Sequence, residues 1–228
     1  MSKLVSAIIP VFNGAPYLAQ AIHSVLAQSY APVELIVVDD GSTDASGALA
    51  EAFPAVRVVR RPHKGLAAAL NDGVCHAGGD MLAFLDADDR WLPHKLSAQV
   101  ALLEKEPALD MTFTFCRQFT DHAGEEGEAE ITLGIQPGIS RPGMLIRRES
   151  FLRVGNFVED GGKHDFLDWY ARSLEQRLVS HVLEEVLFER RIHAHNMGRL
   201  LREEQRSRYL ASLREVLTRR RRQSETKR

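Results

Sequence analysis

Three carboxylates stand within four positions at Asp86-Ala87-Asp88-Asp89, straight after the apolar run Met81-Leu82-Ala83-Phe84-Leu85. That much negative charge at a strand end is costly unless something positive sits beside it. A hard divalent cation, Mn²⁺ or Mg²⁺, fits best, because carboxylate oxygens suit it and it commonly holds substrate phosphates as well. The plain alternative is a turn followed by a helix N-cap, since Asp favours both. Two other polar clusters also follow apolar runs, Phe12-Asn13 and Asp39-Asp40. Further along, Asp165 and Asp168 stand at a helix start, and Arg191-Ile192-His193-Ala194-His195-Asn196 forms a polar cluster.

The elements that must position these groups can be read from period and punctuation. Residues 6–11, 33–38, 56–59 and 81–85 read as strands, rich in apolar and β-branched residues. Residues 17–28, the stretch through Ala48, Leu49 and Phe53, 66–77 and 91–105 carry helical spacing, with Pro93 expected in the first turn of the last. This β-α alternation implies a mostly parallel sheet with helices on both faces. Such sheets bind ligands beyond the carboxyl ends of their strands, where all three polar clusters fall. The second half is less regular. Strands are expected at 111–115 and 143–146, with one or two within 179–187, and helices at 148–154 and 166–176. Residues 121–130 and 135–142 read as loops, 161–165 as a flexible approach, and 199–222 as a long charged helix.

Bulk properties narrow the classes. The chain has 228 residues, 44% hydrophobic and 26% charged, which is ordinary for a globular protein with a sizeable core. Eleven of the 29 basic and four of the 31 acidic residues fall in 199–228, so the body carries −9 and the tail +7. An acidic body argues against nucleic acid and makes a metal useful to any anionic ligand. The tail reads as a solvated helix end, with peripheral contact to anionic lipid as its alternative. No secretory signal and no membrane span is visible, which points to the cytoplasm or the inner face of the membrane. Cys75 and Cys116 have no metal-like spacing and read as buried thiols in a reducing compartment, a disulfide being the alternative. No Gly-x-Gly-x-x-Gly follows the first strand, and no ATP-type P-loop is present.

Four segments together resemble the family 2 glycosyltransferases of the GT-A fold. They are Ser6 to Asn13 (S-A-I-I-P-V-F-N), Glu34 to Asp44 (E-L-I-V-V-D-D-G-S-T-D), Asn71 to Asp80, and Phe84 to Leu96 (F-L-D-A-D-D-R-W-L-P-H-K-L). Gly155-Asn156-Phe157, Asp168-Trp169 and Arg191-x-His193-x-x-Asn196 are weaker landmarks. The resemblance implies a GT-A domain over 1–198, with a nucleotide-sugar half (1–105), an acceptor half (106–198) and a basic tail (199–228). It implies transfer of a hexose, most often from a UDP-sugar, to an acceptor hydroxyl with metal assistance and inversion, in glycan, polysaccharide or glycoconjugate synthesis. The acceptor is a glycan, a lipid-linked sugar or a small molecule.

The same resemblance assigns donor contacts to Pro10, Phe12, Asn13, Asp39, Asp40, Ser42, Asp86 and Ala87. Asp40 would accept the imide N–H of uracil. Asp86, Asp88 and His193 would hold the metal. Asp89 is left between ligand and helix cap, and His193 between ligand and surface loop. For the base, registering the family's acidic stretch on Trp169 selects Asp165, with Asp168 second; registering it on Arg172 puts Phe166 there. Trp91 and Trp169 read as packing residues. Two rival classes remain: a catalytically impaired sugar-nucleotide-binding protein, and a nucleotidyltransferase, for which a Gly- and Arg-rich phosphate loop is missing.

Overall fold

The computed structural model describes residues 2–120, 131–159 and 165–193. The first half alternates strand and helix as the apolar periods require. It runs β1 (Val5–Val11), α1 (Ala15–Leu26), β2 (Val33–Asp39), α2 (Ser46–Glu51), β3 (Val56–Arg60), α3 (Leu66–His76), β4 (Met81–Phe84), β5 (Arg90–Trp91) and α4 (Lys95–Lys105). The second half adds β6 (Met111–Thr120), β7 (Ile131–Gly138), a 3₁₀ turn (Arg141–Gly143), β8 (Leu145–Arg147), α5 (Arg148–Val154), α6 (Asp165–Glu175) and β9 (Ser180–Arg191).

One mostly parallel mixed sheet runs in the order β3-β2-β1-β4-β8-β6-β9-β5, with β7 added to β6. β3, β2, β1 and β4 are mutually parallel, so their carboxyl ends open on one side. β8 is antiparallel to both β4 and β6, and it joins the two halves. Strand side chains alternate between faces. Ile9 and Val11 therefore pack with Leu18, Ile22 and Leu96 of α1 and α4. Ile8 packs on the other side with Leu70, Phe151 and Trp169 of α3, α5 and α6. Pro10 is tolerated inside β1 because β4 pairs only with Val5 to Ile8 and has ended by that point.

Three expectations are corrected. Trp91 is not helical: Arg90 and Trp91 pair with Glu189 and Phe188 of β9, and α4 begins at Lys95, after Pro93. Cross-strand partners a hundred residues away override the local helical spacing. Residues 135–138 belong to a strand, not a loop. β7 lies along a single neighbour, β6, where Pro137 costs little. The thiols are not both buried: Cys75 is exposed, Cys116 is buried, and both are free. The expected loop at 121–130, the approach at 161–164, His195, Asn196 and the helix at 199–222 lie outside the described residues. Among the described residues, no helix is long and apolar enough to cross a membrane.

Candidate active site

The loops after β1 and β2 are sewn to each other. Asn13, at φ 53°, accepts the N–H of Thr43 at 2.8 Å through Oδ1 and donates its own N–H to Ser42 Oγ at 3.0 Å. Asn tolerates this left-handed conformation better than most residues. Asp39 accepts the Ser42 N–H at 2.9 Å. Asn13, Asp39 and Ser42 thus fix the shape of the rim.

Asp40 is buried beneath that rim. Its carboxylate takes the N–H groups of Lys64 at 3.0 Å and Gly65 at 2.8 Å. Arg61 lies 3.2 Å from it and His63 2.8 Å. A carboxylate offers about four acceptor sites, so a nucleobase must displace a partner to reach it. One exposed partner is His63, whose ring stacks on exposed Phe12 with centroids 4.0 Å apart.

The acidic turn follows β4. Asp89 N–H donates to Asp86 O at 3.0 Å, closing a tight turn, and Ala87 sits beside Gly14. Asp89 is not a helix cap: its buried carboxylate accepts the N–H of Arg191 at 3.0 Å. His193 Nε2 lies 3.0 Å from Asp88 Oδ2, and its ring leans on Tyr17. The end of β9 therefore returns to the turn after a hundred residues. Arg191 fastens this junction by donating from Nε to Asp88 O at 3.1 Å and from Nη2 to Gln20 at 2.5 Å.

Ligand atoms of Asp86, Asp88 and Asp89 all lie within 4.8 Å of one another. Burial, and then the Asp86 charge, push the Asp88 carboxyl up. Burial, followed by Asp88 and Asp86, pushes Asp89 well up. Three carboxyls this crowded make a donor set that fits a hard divalent cation.

Asp165 is the first residue of α6. Its Oδ1 accepts Arg141 Nη1 at 2.6 Å and the Phe166 N–H at 2.7 Å. Its Oδ2 is buried and has no hydrogen-bond partner among the described residues. Arg141 Nη2 reaches Asp86 Oδ1 at 3.4 Å. Burial opposes the guanidinium charge, but Asp86 and Asp165 outweigh it, and Arg141 is held charged above its usual range.

Asp168 is instead paired with Arg172 at 2.9 Å, and Arg172 also donates to the carbonyls of Val154 and Asn156. Phe166 is buried in the core and Trp169 stacks on Phe151, so both serve packing. Arg141 was missed from the sequence because a single Arg beside Pro142 and Gly143 resembles any loop. Arg191 was noticed as part of a polar cluster and of a weaker family landmark, without a role of its own.

The family model for glycosyl transferase family 2 matches residues 6–155, which include the acidic turn and Arg141 and stop short of Asp165. The chain belongs to glycosyl transferase family 2. A putative glycosyltransferase of Bacillus subtilis, EpsE, is 31% identical over 200 residues, covering 81% of this chain and 72% of its own. The uncharacterized glycosyltransferase alr2836 of a Nostoc strain is 43% identical over 105 residues, 44% of this chain and 33% of its own. The chain thus spans only about a third of that relative's length.

Solved structures share the GT-A fold of this family 2 chain. S. aureus TarS (1–349) with UDP-GlcNAc superposes with a TM-score of 0.67 at 19% identity, over 84% of this chain and 59% of that one. The Pyrobaculum calidifontis mannosyltransferase PcManGT with GDP-Man and Mn²⁺ gives 0.67 at 20% identity, over 88% of this chain and 60% of that one.

Proposed function

We propose that this family 2 protein transfers a hexose from a UDP-sugar to an acceptor hydroxyl by a single inverting displacement with a divalent cation. The observation that carries this reading is the arginine that joins two carboxylates from the two halves of the chain. Asp86 on the donor half and Asp165 on the acceptor half share one arginine, and Asp165 keeps one buried oxygen unpartnered. UDP-GlcNAc in TarS and GDP-Man with Mn²⁺ in PcManGT support a nucleotide-sugar donor. The free thiols are compatible with a cytoplasmic, reducing setting.

Asp86 and Asp88, with His193 beside Asp88, would hold the cation. When bound, it supplies positive charge against the two phosphates and the departing nucleoside diphosphate. The chain's own residues do the rest. Phe12 and Asp40 receive the base, with His63 giving way. Asp165 Oδ2 accepts the proton of the acceptor hydroxyl as that oxygen bonds to the anomeric carbon. The bond from that carbon to the phosphate oxygen breaks, and the electron pair leaves on the nucleoside diphosphate. A carbohydrate acceptor, destined for a glycan or glycoconjugate, suits this chemistry.

The test is nucleoside diphosphate release over UDP-, GDP- and dTDP-sugars with Mn²⁺ and a panel of sugar acceptors. Acceptor-dependent release from a UDP-sugar is the expected result. Binding of nucleotide sugars without any release, over the whole panel, would instead favour a binding protein.

A further inference from the structure

We infer that Arg141 is the positioning residue for Asp165, held to that task by a bracket of three buried side chains, Trp91, Lys95 and Gln99. This rests on the glycosyl-transfer reading and extends it to residues that reading leaves without a task.

Arg141 opens a short turn whose next two carbonyls are gripped from the donor half. Trp91 Nε1–H donates to Pro142 O at 3.0 Å. The Gln99 amide donates to Gly143 O at 2.9 Å and to Thr112 O at 3.2 Å. Lys95 braces both grips: its Nζ donates to Gln99 Oε1 at 2.8 Å and sits 4.2 Å over the Trp91 ring. Burying a lysine is costly, and α4 could pack an apolar side chain at the same place. From the other side, a Cβ on Gly143 would collide with the Gly138 carbonyl, which leaves the turn little freedom.

The fixed turn aims a planar fork. One guanidinium nitrogen meets Asp165 Oδ1 and the other faces Asp86. With Oδ1 taken by Arg141 and the Phe166 N–H, the carboxylate cannot rotate freely, and Oδ2 is the oxygen left buried without a partner for the acceptor hydroxyl to supply. A lysine would keep the charge and lose the fork.

The experiment compares Arg141→Met and Arg141→Lys, each alone and combined with Asp165→Asn. Readouts are nucleoside diphosphate release and calorimetric UDP affinity with Mn²⁺. Each single variant is expected to lose about 10²-fold in kcat, as a small misplacement of the reacting group does, with UDP affinity within about threefold. In the Asp165→Asn background, Arg141→Met should cost less than about threefold more, because a residue acting through that carboxylate is not additive with its loss. Fully additive losses, or lost UDP affinity with kcat intact, would overturn the inference; the latter would make Arg141 a donor contact.

A measurement without turnover accompanies these. The Arg141 side-chain NMR signal should exchange slowly in wild type and faster in Asp165→Asn and Gln99→Met. Equal exchange in all three overturns the bracket, even if a variant is less stable. Wild type that turns over no donor defeats the transfer reading. Active wild type with an equally active Arg141→Met defeats this inference alone.

Discussion

Asp165 and Asp168 are three residues apart on one helix, yet their surroundings differ completely. Asp168 is half exposed and spent on Arg172, which in turn ties α6 to the end of α5. Asp165 is buried, with one oxygen engaged and the other buried without a hydrogen-bond partner among the described residues. Asp165→Asn should therefore lower kcat by about 10²- to 10⁴-fold, the usual worth of a general base, with UDP affinity kept. Asp168→Asn should keep kcat within a few-fold, and steady-state kinetics on both variants check the contrast. On the donor side, Asp88→Ala removes the carboxylate next to His193. Calorimetry should show Mn²⁺-dependent UDP binding lost in this variant, and a metal-dependent isotherm that survives would remove Asp88 from the metal site. The carboxylates themselves were legible as residues, because three within four positions is a strong local signal. Which oxygen of Asp165 stays unpartnered was not legible, since that depends on an arginine 24 positions earlier.

At the scale of elements, local pattern succeeded where a strand or helix is stabilised by its own buried face, as in β1 and α1. It failed where distant pairing decides. β5 is two residues long and exists because β9 lies alongside it. Asp110 shows how such junctions are held. Its carboxylate accepts Ser150 of α5 at 2.6 Å, the Val179 N–H ahead of β9 at 2.8 Å, and Arg153 at 2.8 Å. Burial pushes this carboxyl up, but the hydrogen bonds outweigh it and the net shift is down. A carboxyl depressed in the folded state adds stability above its unfolded pKa and loses it as pH falls through the folded value. Asp110→Ala should cost about 1–3 kcal/mol near neutral pH. Urea unfolding should show the gap from wild type narrowing as pH drops from about 7 toward 3. Gly143→Ala should be destabilised as well, because the added methyl meets the Gly138 carbonyl, and a lowered thermal midpoint is the check.

For the whole molecule, the cation and nucleotide site proposed at the acidic turn exists only when β1, β2, β4 and β9 are assembled. Ligands that bind the native state alone raise its stability, by about 2.7 kcal/mol at a hundredfold excess over Kd. Mn²⁺ and UDP together should raise the unfolding midpoint more than either alone, and EDTA should abolish the difference. An identical midpoint with and without EDTA would mean that the nucleotide binds without the metal. The sequence by itself determined the parallel first half, the three polar strand ends and the family, because short-range period and compact motifs encode them. His193 was expected beside the acidic turn from the resemblance, but only the tertiary structure decided that β9 carries it there and brings Arg191 with it. Only the tertiary structure decided, too, that Arg141 joins Asp86 to Asp165. Those contacts link residues up to about a hundred positions apart through β8, β6 and β9, and no local spacing records which strands will be neighbours.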